Sequence, residues 1–351
     1  MGQAGLLDRG LLLDRFRERW LPGVLGAIPP GAWHRICGVN LVVPHWHIVG
    51  DAPIPHVSGL YRFRTLTEFT ADVEFFLRHY RPVTEEEVIA HLHEGYPIPS
   101  RSVLLTFDDG FREMYDVVAP LLRAKGVPAV FFLIASAVDN QRLCHPQKAS
   151  LLLNHLEGSQ SAAVTQELHR LLTEAGVPLD VSLPGRIRSV TWQQRGVLDH
   201  LARVLGCDFD GYLQVHRPYV TTDQVRSLIR QGFSAGAHSV DHPDFRELSA
   251  TEKAYQVLDS VRWVSETIGV DCRSFAFPYR DTGIPLTFFD EVFAKSGLKL
   301  SFGTGGILTH PFRFNLERFS MERTDLTARQ VLGIQFARRL RRSQLVARNA
   351  I

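Results

Sequence analysis

Val103-Leu104-Leu105-Thr106-Phe107-Asp108-Asp109-Gly110 is the stretch on which the fold turns. Its first five residues form a run of the length of a buried strand, and Asp108-Asp109-Gly110 ends it. Residues 111–125 then read as a helix, stopped by Gly126 with Pro128 just beyond, and residues 129–134 are the next apolar run. Strand, helix and strand in quick succession mark a parallel α/β unit. The rhythm returns downstream, with helices at 223–231, 249–268 and 285–295 alternating with strands at 233–237, 274–277 and 298–302. Ser249 with Glu252 caps the second of these helices.

Upstream, residues 39–43 are a short β-branched strand that ends at Pro44, followed by a loop from His45 to Tyr61. Thr65 with Glu68 and Thr84 with Glu87 are capping boxes that open two helices. Between about 139 and 222 the rhythm changes to leucine-rich helical stretches, which read as an insertion. The chain thus divides into an N-terminal extension (1–38), a main domain (39–330) with the helical insertion at about 139–222, and a basic C-terminal tail (331–351).

The chain has 351 residues, of which 45% are hydrophobic and 22% charged, enough for a sizeable core. A net charge of +2 gives no reason to expect nucleic-acid binding. Cys37, Cys144, Cys207 and Cys272 form no CxxC pair, which argues against a thiolate zinc site or a disulfide framework. Residues 1–20 mix Leu with Asp8, Arg9, Asp14, Arg15, Arg17, Glu18 and Arg19, so no signal peptide is read there, and a cytoplasmic setting is expected. The stripe Leu11-Leu12-Leu13, Phe16 and Trp20 predicts a short amphipathic helix. That helix, or the basic run Arg338, Arg339, Arg341 and Arg342, offers a peripheral contact with the inner membrane face.

Two places carry chemistry. Asp108 and Asp109 stand at the C-terminal end of a strand, where parallel barrels build their sites. Taken alone, either Asp could simply cap the next helix. His238 and His242, in His238-Ser239-Val240-Asp241-His242-Pro243-Asp244, follow another strand four residues apart, so one turn or a tight loop aims both at one ion. Taken alone, they could be two surface histidines. Together, one Asp and two His make a three-ligand set that leaves room for a water, while the second Asp can accept that water's proton.

With these residues the chain resembles the polysaccharide deacetylase family (NodB homology, carbohydrate esterase family 4) over most of 39–325. The resemblance rests on Thr106-Phe107-Asp108-Asp109-Gly110, on the His238/His242 segment and on Phe275-Ala276-Phe277-Pro278-Tyr279. It implies an α/β fold, a distorted (β/α)7 barrel, and metal-dependent removal of acetyl groups from a sugar in the making of cell-surface polysaccharide. By position it implies Asp108 as base and Asp109, His238 and His242 as ligands of one divalent ion. That ion is expected to be zinc, with cobalt, manganese, nickel and iron as alternatives. Phe277, Pro278 and Tyr279 would line the groove, with the Tyr279 N–H as oxyanion donor. Arg280 stands where relatives often have glycine and could restrict the site or grip an anionic substrate. It is also the one substitute in view for the arginine that tunes the base in many relatives.

The late Leu-x-His motif of the family has no good match. His310 is a candidate acid, but Trp46-His47 fits better, because relatives with an aromatic-His pair after the first strand use that His as the acid. His45 competes with it. Two other functions stay open: a non-catalytic sugar-binding or assembly module on the same barrel, and a metal-dependent amidase acting on a small non-sugar amide.

Overall fold

The computed structural model describes residues 21–156, 161–322 and 325–349, with side chains of the last helix described as far as Ser343. The predicted amphipathic stretch before residue 21 lies outside them.

Seven parallel strands follow one another around the barrel in sequence order. They are β1 (Leu41–Val42 and Pro44–Trp46), β2 (Ser102–Val103 and Leu105–Phe107), β3 (Ala129–Leu133), β4 (Ser234–Ala237), β5 (Ser274–Ala276), β6 (Leu300–Gly303) and β7 (Asn315–Glu317 and Phe319–Ser320). The first half of β7 pairs with β6 and the second half with β1, so a single strand, bent at Arg318, joins the two edges. Among the described residues no long edge of the barrel is left unpaired, the usual advantage of closure.

Alternation fills the lumen with Val43, Leu104, Val130, Phe132, Ala276, Leu300 and Phe302. The helix Glu85–Glu94, opened by the Thr84/Glu87 capping box, brings Val88 and Ile89 to this cluster. It closes the end where the strands begin, next to the short strand Arg81–Pro82 that pairs with the first half of β2. The other end, where Asp108 and His238 emerge, is left for the site.

Among the described residues the insertion consists of the helices His145–His155, Ala162–Glu174, Leu183–Arg188, Val197–Leu205 and Phe209–His216. Leu152, Leu168, Leu172, Ile187, Leu198 and Leu201 make its core, continuous with Ile48, Phe111 and Ile134 of the barrel. Its exit is tied to the Asp-Asp-Gly turn. The Val220 N–H donates to the Gly110 carbonyl at 2.9 Å, and the Arg112 N–H donates to Pro218 at 2.8 Å.

Two sequence expectations are corrected, and one strand is added. Pro44 does not end β1; lacking an N–H, it interrupts the ladder, and the strand resumes through His45 and Trp46. Strand β7 is not foreseen, because Glu317 and Arg318 break its apolar pattern. The C-terminal segment is not a tail but the helix Ala328–Asn349, which buries Val331, Leu332 and Phe336. This helix packs on Leu21–Ala27 and Pro30–Cys37. A Cβ at Gly333 would lie 2.6 Å from the Leu25 carbonyl oxygen, so only glycine permits that approach.

Phe336 is fully buried and stacks on Trp33 at 5.8 Å. Phe336→Ala is therefore expected to cost about 3–5 kcal/mol in urea unfolding, as for other large-to-small core changes. A loss below about 1 kcal/mol, at the level of an exposed surface change, would mean that the helix is not docked. No helix among the described residues is long and apolar enough to cross a membrane.

Candidate active site

The turn after β2 places Asp109 in the left-handed region at φ 74°, followed by Gly110 at φ 70°. This backbone turns both carboxylates to the open end of the barrel. After β4 the chain curls rather than forming a helix: Ser239 and His242 also have positive φ, and the His242 N–H donates to Ser239 Oγ at 2.9 Å. Buried Gln256 holds this curl from behind, its Oε1 accepting the Val240 and Asp241 N–H groups at 2.9 and 3.0 Å. Non-glycine residues in this region carry strain that persists only where the surroundings enforce it. Here the strain serves to bring the two imidazoles together.

His238 Nε2 and His242 Nε2 lie 3.3 and 3.2 Å from Asp109 Oδ1. That oxygen is buried and has no hydrogen-bond partner. His238 Nδ1 donates to the Ala276 carbonyl at 2.8 Å, which leaves the Nε2 lone pair facing Asp109. Three electron-rich atoms converging without a donor between them need a cation. The donor set Asp109, His238 and His242 therefore fits a divalent metal.

Beside it, Asp108 forms a two-pronged ion pair with Arg318, whose Nη1 and Nη2 donate to Oδ1 and Oδ2 at 2.7 and 2.8 Å. Arg318 is fully buried, over the rings of Phe132 and Phe302. Burial opposes ionisation, yet Arg318, with His238, keeps Asp108 below the ordinary carboxylate range. Arg318 occupies the place for which Arg280 was considered. Arg280 itself is exposed and outside the cavity lining.

His47 lies at the same mouth, within 4.8 Å of Asp108, ligand atom to ligand atom. Its Nδ1 donates to Glu322 Oε2 at 2.6 Å, and its backbone N–H donates to Oε1 at 2.8 Å. Burial lowers its pKa, but the charge and hydrogen bond of Glu322 prevail and raise it to about 10. His45, deeper in the barrel, is pushed well below its ordinary value by burial, with Arg318 adding to the effect. The two histidines thus differ in charge: His47 carries the second ring proton and His45 is neutral.

Phe277 and Tyr279 line the cavity, Phe277 packing against Phe245 and Phe289, while Pro278 is buried beside them. Tyr279 has φ 56°, its ring lies 5.0 Å from that of His242, and its carbonyl accepts from Thr304 Oγ1 at 2.7 Å. Its N–H donates to no group among the described residues. His310 does not line the cavity; it stands before β7, with Nδ1 accepting from the Phe312 N–H at 3.0 Å. The cavity measures about 710 Å³, within the range of small-molecule sites. The insertion supplies one wall through His145, Gln147, Arg188 and Thr191.

A model of the family described as polysaccharide deacetylase matches residues 95–288, more than half of the chain. Poly-beta-1,6-N-acetyl-D-glucosamine N-deacetylase of Escherichia coli (strain K12) is 40% identical over 102 residues, which are 28% of this chain and 15% of that protein's length. The Streptococcus pyogenes deacetylase PplD in complex with acetate superposes with a TM-score of 0.53 at 14% identity, covering 84% of this chain and 97% of its own. IcaB from Ammonifex degensii gives 0.51 at 17% identity, with the same two coverages. At these identities the two structures speak for the barrel.

Proposed function

This chain belongs to the polysaccharide deacetylase family, and on that premise we propose that it hydrolyses the N-acetyl group of a saccharide with one divalent metal, zinc first, held by Asp109, His238 and His242. The observation that carries the reading is the buried, unpartnered Asp109 Oδ1 facing two histidine Nε2 atoms, beside a second carboxylate that is independently oriented. The stretch shared with the Escherichia coli enzyme supports an N-acetylated hexosamine as the reacting sugar.

When bound there, the metal supplies Lewis acidity, bringing the pKa of a water towards neutrality and drawing charge from the acetyl carbonyl. Asp108 accepts the proton of the attacking water. Arg318 takes one lone pair of each Asp108 oxygen and leaves the others directed at the site. The Tyr279 N–H is the donor for the developing oxyanion. His47 delivers its Nε2 proton to the departing nitrogen, so that acetate and a free amine leave together. Glu322, on the far side of the ring, keeps the proton on Nδ1 and raises the basicity of Nε2. A sugar-binding module would have no use for an oriented base beside an ion site, and the small-amide reading has no observation in its favour.

The sign of the pH effect follows from that pair. The acid form of His47 is lost as pH rises through its pKa, and Glu322 raises that pKa. Glu322→Gln is expected to move the alkaline limb of kcat to lower pH, with a loss of roughly tenfold or more on the alkaline side. It should leave the metal content unchanged. An alkaline limb that does not move would remove His47 from the role of acid. Release of acetate from N-acetylglucosamine oligomers by the metal-loaded protein is the direct test of the activity.

A further inference from the structure

Three arginines line the cavity outside the catalytic cluster. Arg246 is paired with Asp244, and among the described residues no carboxylate is set against the other two, Arg188 and Arg338. Arg338 stands on the C-terminal helix one turn beyond Gln335, which lines the same cavity. Among the described residues it makes no hydrogen bond or ion pair. Arg188, from the insertion, is anchored through Nε to the Gly59 carbonyl at 2.8 Å, which leaves its terminal nitrogens without an acidic partner.

The acids of the same lining face other groups. Asp108 pairs with Arg318, Asp109 points at the two histidines of the proposed metal site, Asp244 pairs with Arg246, and Glu247 accepts the Trp192 N–H at 2.8 Å. The helix that carries Arg338 contains six arginines and no Asp or Glu between Ala328 and Asn349, so nothing on it competes for the guanidinium. A neutral sugar offers two such groups only hydroxyl acceptors and no counter-charge, whereas a guanidinium fork matches the paired oxygens of phosphate or carboxylate.

We propose that the substrate is an acidic saccharide, whose phosphate or carboxylate group is held by Arg338 and Arg188 while its acetamide lies at Asp108 and Asp109. This rests on the deacetylase reading above. It adds a recognition element built from two elements outside the barrel strands, the insertion and the C-terminal helix. The volume of the cavity suits a small saccharide bearing such a group.

The test uses deacetylated sugars, which bind without turning over. Glucosamine 1-phosphate, muramic acid and methyl glucosaminide, which shares their amine and lacks an acidic group, are titrated calorimetrically into the metal-loaded protein. At least one of the acidic sugars is expected to bind roughly tenfold or more tightly than methyl glucosaminide. The variant Arg188→Gln with Arg338→Gln, both at exposed positions, should bring that ratio towards one. The phosphate and carboxylate arms separate the two sources of charge. Equal binding of all three sugars by the native chain, or an unchanged ratio in the variant, overturns the proposal. Acetate release from the N-acetylated parents is measured alongside. A charge preference without acetate release would remove the deacetylase reading and leave the anion site standing; acetate release without charge preference would do the reverse.

Discussion

Asp108→Asn is expected to lower kcat roughly 10²–10⁴-fold, the range associated with loss of a positioned general base, while about one metal ion per chain stays bound. The argument rests on the separation of roles at adjacent positions. Asp109 faces the histidines and Asp108 faces Arg318, so neutralising Asp108 removes no ligand. The substitution does leave a buried guanidinium without its counter-charge, and breaking such a pair costs about 3–5 kcal/mol. Stability and catalysis must therefore be read separately. Adding Arg318→Gln to Asp108→Asn should recover part of the lost stability in urea unfolding, since the orphaned charge is gone. It should recover none of the activity. Near-native turnover in a folded Asp108→Asn protein would remove Asp108 from the role of base.

His238→Ala combined with His242→Ala should abolish stoichiometric metal and bring acetate release to background. Mass spectrometry of the native protein under non-denaturing conditions gives the metal count directly. Each imidazole contributes one nitrogen beside the same Asp109 oxygen, and a lone carboxylate retains a first-row divalent ion weakly. Folding should survive, because removing both rings relieves the convergence of lone pairs around Asp109 Oδ1. If the native chain takes up no divalent ion after incubation with zinc, cobalt or manganese, the three donors are not serving a metal. The deacetylase reading would then lose its main support.

Much of the architecture was legible because its signals are local. Capping boxes at Thr65/Glu68, Thr84/Glu87 and Ser249/Glu252 are all present. The apolar runs around 103–107, 129–134 and 233–237 are strands of the barrel. The pairs Asp108/Asp109 and His238/His242 could be found because each lies within a few residues at a strand end. Arg318 and Glu322 could not, since they act on partners 210 and 275 residues away. The one hint, a charged pair at 317–318 between Leu316 and Phe319, reads locally as an interrupted strand.

The sequence by itself determined the alternation of strands and helices, the strand ends that carry the candidate site, and the four residues proposed to hold the metal and serve as base. Tertiary structure alone decided how the barrel closes, through one strand bent at Arg318 that meets both edges. It decided that the C-terminal helix is part of the core, and it separated His47 from His45. Two histidines two residues apart have the same intrinsic affinity for a proton. Burial, with a guanidinium adding to it, lowers the pKa of His45, while the carboxylate of Glu322 overcomes burial at His47 and raises it. Charges that far apart in the chain act on each other only once folding has brought them within a few ångströms and excluded the water that would screen them.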